Sequence, residues 1–169
     1  MTRSDAREIA IHMVFALSFG NRSAQELLDD QLTHERFCEL AEDMPLYAKY
    51  PNEKQEKYIR ELVQGVFFHG PELDDCISHY AVGWSFARIP RMASAIMRTA
   101  MYEILYMPDI PNAAAINDAV EIAKNYEPRE VVAFLNGILG SFARAEFEDT
   151  PPKPVKEAQS HPEATDGEQ

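Results

Sequence analysis

The sequence is poor in cysteine and has no long hydrophobic run, and both shortages limit what the chain can be. Its 169 residues include two cysteines, Cys38 and Cys76, which lie far apart and form no CxxC pair. Two such cysteines, behind an N-terminus without an apolar stretch of signal-peptide length, indicate reduced thiols in the cytoplasm. No apolar run approaches the roughly 18 residues of a membrane span. We therefore expect a cytoplasmic protein that does not enter a membrane.

Positive charge is also scarce. The chain has 16 lysines and arginines against 28 acidic residues, a formal net charge of −12. This balance excludes the globally basic surface that is typical of many nucleic-acid-binding domains. It does not exclude a local basic patch, because salt limits the reach of a charge to roughly 8–10 Å.

Motifs that carry catalysis or bind a cofactor are absent. The sequence contains no GxGxxG, GKS/T or GxSxG pattern. Cys76, His79 and His69 could contribute to a metal site, but the four-ligand set of a structural zinc is missing. We expect no enzymatic activity, no cofactor and no metal.

Apolar residues recur at helical spacing between glycine and proline breaks, and no segment alternates with a period of two. Ser23 and Glu26 form a capping-box pattern at the start of the second segment. The pattern predicts an all-α bundle of about seven helices. They cover residues 4–19, 24–40, 53–69, a short stretch after Gly70-Pro71, 91–107, 113–126 with Asn112 as cap, and 129–146.

The C-terminal segment has a different composition. From Thr150 onward it is rich in proline and acidic residues and almost free of large apolar side chains. Such a segment cannot bury enough surface to offset its ordering entropy. We expect one helical domain at 1–146 and a disordered acidic tail at 147–169.

An ordered set of short motifs runs through the whole helical part, and together they are specific. The motifs are Ala6-Arg7-Glu8, Leu62-Val63-x-Gly65-Val66, Trp84, Arg88-Ile89, Arg98, Tyr102-Glu103-Ile104, residues 115–121 (AINDAVE), Ala123-Lys124 and residues 134–139 (FLNGIL). In this order the chain resembles the NusB family of transcription antitermination factors. The resemblance implies two stacked helical subdomains, of three and four helices. It also implies binding to single-stranded boxA RNA of nascent ribosomal RNA transcripts, together with ribosomal protein NusE, in an antitermination complex on RNA polymerase.

Five residues are predicted to contact RNA. Arg3 and Arg7 are four positions apart near a helix start, so they share one face, where arginine suits phosphate and base edges. A solvated face neutralised by Asp5 and Glu8 is the alternative. In the family, the position of Phe134 lies at the RNA-facing surface, where a ring can stack on an unpaired base. Lys124 and Arg129 are the nearby bases.

The resemblance also suggests a partner surface and several structural residues. Phe15 matches an aromatic position that faces NusE, and the loss of an acid at Ala93 implies a rearranged interface. Arg98 and Glu103 are expected to form internal ion pairs. Asn136 and Gly137, and Asn117, are expected to serve close helix packing.

Departures from the family keep alternatives open. The usual N-terminal cluster of basic residues is reduced to two arginines, and Ala133 stands where a lysine often precedes the phenylalanine. A protein-only adaptor with little RNA affinity is therefore the second hypothesis. A third is a separate subunit of an RNA cytosine methyltransferase, some of which carry this helical module as a front domain. A homodimer through Phe15 or Phe19 also stays open.

Overall fold

The computed structural model describes residues 1–147, and these residues form eight α-helices and no strand. The helices are α1 (Arg3–Leu17), α2 (Ala24–Gln31), α3 (His34–Ala41), α4 (Glu53–Phe68), α5 (Gly70–Tyr80), α6 (Arg91–Tyr106), α7 (Asn112–Ala123) and α8 (Arg129–Phe147). The predicted all-α class is confirmed. The predicted acidic tail at 147–169 lies outside the described residues, apart from Phe147, which ends α8. Within residues 1–147, every helix is too short or too polar to cross a membrane.

Side-chain caps set the starts of several helices. Thr2, Ser23 and Asn52 each accept a hydrogen bond from the backbone N–H three residues later, and the side chain at that later position bonds back to the cap. These capping boxes satisfy N–H groups that have no partner inside the helix. The predicted box at Ser23 is thus confirmed. Asn112, by contrast, is the first residue of α7, and Pro111 occupies the cap position.

The predicted single helix over 24–40 is wrong, because the chain breaks between α2 and α3. The Thr33 side chain caps α3 by accepting a hydrogen bond from the Arg36 N–H. The Leu32 carbonyl, freed by the break, accepts a hydrogen bond from the Tyr50 hydroxyl at 2.9 Å. A cap and a distant tyrosine therefore replace the helical bonds that the break removes. The helix count becomes eight.

The helices form two groups that share α6. In the first group α1 packs on α2, α4 and α6; in the second α6 packs on α5, α7 and α8. The implied subdomains are present, with four helices in the first because 24–41 makes two. Eleven of the sixteen residues of α6 are buried, from Ala93 to Ile104, so this helix is the centre of the core.

Gly65 allows α4 to approach α6 closely. A Cβ atom at this position would lie 2.0–2.3 Å from ring atoms of Tyr102, closer than any contact allows. Gly137 in α8 differs, because a Cβ there would meet nothing within 4 Å. Asn136, Gly137 and Asn117 are exposed, so the expected role of these residues in helix packing is wrong.

Candidate RNA and partner interface

The two N-terminal arginines have different surroundings, although they share one face of α1. Arg3 is exposed, and its guanidinium lies 5.2 Å from the ring centre of Tyr58 on α4. Arg7 is only 1% exposed. The Asp5 carboxylate accepts a hydrogen bond from the Thr2 N–H, and Glu8 accepts one from the Tyr126 hydroxyl. Neither acid therefore pairs with Arg3 or Arg7, as the alternative of a neutralised, solvated face supposed.

Arg7 is held by a buried ion-pair network that joins three helices. Its Nε and Nη2 atoms donate to the two carboxylate oxygens of Glu103 at 2.6 and 2.8 Å, and Nη1 bonds to Asp118. The Tyr58 hydroxyl donates to the same Glu103 carboxylate at 3.1 Å. Burial alone would lower the pKa of Arg7, but the hydrogen bonds and charge of Glu103 raise it above its ordinary value.

The predicted contact between Arg7 and RNA would need a guanidinium that this fold buries and pairs. A phosphate could reach the guanidinium only after the bonds to Glu103 and Asp118 had been broken, and an uncompensated buried charge is costly. Glu103 does form an internal ion pair, as expected, with Arg7 as its partner. Arg98 pairs with Asp74 and so ties α6 to α5.

Phe134 is half-buried on α8, and its ring lies against Trp84 in the connection between α5 and α6. The ring centres are 4.7 Å apart and the planes are inclined by 33°. The outer ring of the pair is Trp84, which is 41% exposed. The sequence alone gave Trp84 no role beyond its place among the family motifs. The available signal was the chain's one tryptophan, directly after a glycine between two helices.

The two basic residues near the α7–α8 connection are both exposed but differ in pairing. Lys124 bonds to Glu121 at 2.6 Å, so its charge is partly compensated. Arg129 makes no ion pair within residues 1–147. It shares the exposed face of α8 with Ala133 and Gly137, which are four and eight residues later. Of these two cations, Arg129 is the freer one.

The structure does not bring all the predicted RNA contacts into one site. Arg3 lines a cleft with Lys54, Lys57 and Tyr58 at the start of α4. Phe134 belongs to a different surface, formed by α8 and the α5–α6 connection. Sequence reasoning missed Lys54 and Lys57, because their position beside Arg3 depends on how α1 packs against α4.

Phe15 lies on a third surface, at the end of α1. It is half-buried and makes an edge-to-face contact with Phe19, whose side chain is 60% exposed. The guanidinium of Arg91 lies 4.4 Å from the Phe19 ring centre and bonds to the Ser18 carbonyl. Ala93 is fully buried at the start of α6. Ala93 therefore offers no surface to a partner, and the rearranged interface expected at this position stays a prediction.

A chain of hydrogen bonds that sequence reasoning missed connects α1 to the 3-10 turn at Pro45–Tyr47 and to the connection between α7 and α8. His12 Nδ1 lies 2.7 Å from the Tyr47 hydroxyl, and Nε2 lies 2.6 Å from the Tyr126 hydroxyl. Tyr126 donates in turn to Glu8. Burial lowers the pKa of His12, against the opposing charge of Glu8. Burial also raises the pKa of Tyr47 to about 12, with a further contribution from Glu8.

The residues considered for a metal site are engaged elsewhere or isolated. His69 bonds to Glu72 and stacks on Tyr106. Over the part of the chain that the structure describes, no three His, Cys, Asp or Glu side chains are grouped as metal ligands would be.

Comparison with known proteins identifies a family. The model of the NusB family matches residues 4–144. Transcription antitermination protein NusB of Acetivibrio thermocellus is 36% identical over 147 residues, which cover 87% of this chain and 92% of that protein. The protein of the same name from Carboxydothermus hydrogenoformans is 38% identical over 143 residues, covering 85% and 93%.

Solved structures give the same fold. The NusB structure from T. maritima has a TM-score of 0.71 and 26% identity, and the match covers 85% of this chain and 92% of that one. A crystal structure of antitermination factors NusB and NusE with double-stranded RNA has a TM-score of 0.66 and 21% identity, covering 85% and 96%. At that identity the second match speaks for the fold alone.

Proposed function

This chain belongs to the NusB family, and from that premise we propose that it binds single-stranded boxA RNA of nascent ribosomal RNA transcripts together with ribosomal protein NusE. The observation that carries the proposal is the family match over residues 4–144. The curated relatives that the chain covers by more than nine-tenths are transcription antitermination proteins. In this proposal the protein works in the cytoplasm and docks with its partners on RNA polymerase.

The geometry supports a shorter list of RNA contacts than the sequence did. Phe134 and Arg129 lie on or beside one exposed surface of α8, and Lys124 lies just before it. We place the RNA bases against the aromatic surface around Phe134, and the phosphates against Lys124 and Arg129. Arg3 would contact RNA only if the strand also reached the separate cleft at the start of α4. Arg7 acts inside the core.

NusE is proposed to bind the surface around Phe15 and Phe19. Exposed aromatic side chains beside an arginine are the residue types that dominate binding energy in protein interfaces. Because each contact alone is modest, joint binding of NusE and RNA should raise the apparent affinity for each.

The direct test is fluorescence anisotropy of labelled boxA RNA, titrated with this protein in the presence and absence of NusE. We expect saturable binding that NusE strengthens. Arg129→Glu should weaken RNA binding about tenfold or more, whereas Arg36→Glu, at a half-buried arginine of α3, should not. RNA affinity that is the same in wild type and Arg129→Glu would remove the α8 surface from the proposal.

A protein-only adaptor is the second candidate, and the pairing of cations favours it. Arg7 is buried and Lys124 is paired with Glu121, so two of the five predicted RNA contacts are compromised. NusE binding without RNA binding at low salt would decide for the adaptor. The methyltransferase hypothesis is not retained, since the family assignment confirms the expectation that the chain is not an enzyme.

A further inference from the structure

The connection between α5 and α6 contains an open concavity that none of the predicted contacts uses. It is lined by Gly83, Trp84, Ser85 and Arg88 and has a volume of about 450 Å3. This volume lies within the range of roughly 300–1,000 Å3 that small-molecule sites occupy. Its lining combines an aromatic ring, a hydroxyl group and a guanidinium, which can contact the base, the sugar and the phosphate of a nucleotide.

One side chain supports the Trp84 ring, and the backbone on both sides of Trp84 has a defined conformation. Phe134 contacts it from α8, with 4.7 Å between ring centres. Gly83 has a φ of +83°, a conformation that favours glycine, and it turns the chain immediately before the tryptophan. After it, a 3-10 turn over Phe86–Arg88 leads to buried Ile89. The exposed ring is therefore preorganised, which reduces the entropy cost of binding.

The charge around this concavity is unusual for so acidic a chain. Residues 76–102 contain three arginines and no acid, and residues 131–145 of the facing helix contain no acid either. Arg88 makes no ion pair in the described part of the chain, whereas Arg98 is paired with Asp74. The acid nearest to Phe134 along α8 is Glu130, one turn before it. A phosphate would thus meet an uncompensated guanidinium.

Only small residues lie on the surface of α8 beside the ring pair of Trp84 and Phe134. Ala133 and Gly137 flank Phe134 on the exposed side of α8, and a Cβ added at Gly137 would meet nothing within 4 Å. Glycine inside a helix is unfavourable, and no internal contact requires it here. Small side chains at these two positions leave room for a planar group to approach Trp84.

We propose that Trp84 stacks on an unpaired RNA base and that Arg88 binds the adjoining phosphate, while Phe134 supports the tryptophan from behind. This proposal rests on the RNA binding proposed above and assigns the stacking ring to a different residue. Phe134 becomes a positioning residue. Single-stranded RNA is favoured over a peptide because the site joins an exposed ring to an unpaired arginine, and such aromatic and cationic groups recur in single-strand binding sites.

The first experiment uses the intrinsic fluorescence of Trp84, the chain's one tryptophan. The wild-type protein is titrated with unlabelled boxA RNA, and a fully paired hairpin of the same composition serves as the control ligand. We expect quenching that saturates at the concentration at which labelled boxA RNA saturates in anisotropy, and little quenching by the hairpin. RNA binding in anisotropy with unchanged Trp84 emission would overturn this inference and leave the proposed function intact.

Substitutions then separate stacking from support. Trp84→Ala should weaken RNA binding roughly 5- to 150-fold, the effect of losing one base–aromatic stack, while Trp84→Phe keeps a ring and should remain within about fivefold of wild type. Arg88→Glu should weaken binding about tenfold. The matched control is Phe68→Ala, which removes a 79% exposed ring at the end of α4 and should change nothing.

The positioning role of Phe134 has its own readout. Phe134→Ala should shift the emission of Trp84 in the free protein and weaken RNA binding, but it should add little in a Trp84→Ala background. Equal additional losses in both backgrounds would show that Phe134 contacts RNA independently and would overturn that role. If wild type binds no boxA RNA at low salt, with or without NusE, both proposals fall together.

Discussion

Two glycines in this fold illustrate how the same substitution has opposite effects at different positions. At Gly65, a methyl group would overlap the buried Tyr102 ring, whereas at Gly137 it would lie in open space. We expect Gly65→Ala to lower the free energy of unfolding by about 1–3 kcal/mol, through overpacking. Gly137→Ala should raise it by about 0.5–1 kcal/mol and the melting temperature by roughly 2–4 °C.

Thermal unfolding of the two variants beside wild type checks both signs. Helical content from circular dichroism is the control. A destabilised Gly137→Ala would mean that the backbone at this position needs glycine for a reason that the packing around it does not show.

The Arg7 network should contribute more to stability than any exposed ion pair of the chain. Arg7→Ala leaves Glu103 buried and without its arginine, and breaking such a pair costs about 3–5 kcal/mol. Urea unfolding should show a lower midpoint with an unchanged slope. Arg22→Ala, which removes an exposed pair with Asp30, is the control and should cost less than about 1 kcal/mol.

Arg7→Met combined with Glu103→Leu should recover part of the loss, because apolar residues of similar volume need no charged partner. Stability of Arg7→Ala equal to that of wild type would contradict the structural role. It would also reopen the question of RNA contact at this residue.

At the scale of elements, the hydrogen-bond chain through His12 makes the attachment of α1 to its neighbours sensitive to pH. Tyr126 donates to Glu8, so it accepts from His12 Nε2–H, and Nδ1 of the neutral ring accepts from Tyr47. Because the pKa of His12 is lowered in the folded state, the unfolded chain binds a proton first as pH falls. The stability from neutral His12 is complete above about pH 6.5 and is lost below it.

His12→Gln removes this titration. We expect wild type to lose more unfolding free energy between about pH 7.5 and pH 5.5 than the variant does, as measured by urea unfolding at each pH. Carboxylates titrate in both proteins, so the difference between the two losses is the relevant quantity. The same loss in both would mean that His12 titrates normally in the folded protein.

The positions of the helices were easier to predict from the sequence than the breaks and the tertiary contacts between them. Apolar spacing located the helices because each buries one face, and the Ser23 box and the predicted start of the last helix at 129 were correct. The break at Thr33 was hidden, because the carbonyl that it frees is satisfied by Tyr50, eighteen residues away. The burial of Arg7 was hidden for the same reason, since its partners Glu103 and Asp118 lie in two other helices. Local sequence does not report partners brought together by tertiary packing.

For the whole molecule, the charge distribution predicts weak dependence of RNA binding on salt. Three cations, Arg88, Lys124 and Arg129, lie on the proposed RNA surface of a chain with net charge −12. Each phosphate contact to a single strand contributes about −0.7 to the slope of log K against log salt. We expect a slope near −2 in anisotropy titrations over a range of salt. A slope near −4 would show that the cleft of Arg3, Lys54 and Lys57 also binds the strand.

The Arg7 network also has a consequence for the order of events on the ribosome. Its two carboxylate partners follow Arg7 by 96 and 111 residues. Translation proceeds at about 5–20 residues per second. Roughly 5–20 s therefore pass between the synthesis of Arg7 and that of its first partner. The first helix therefore cannot complete its charge pairing while the N-terminal half alone has been translated. The synthesis of α6 and α7 therefore decides when α1 can complete its ion pairs.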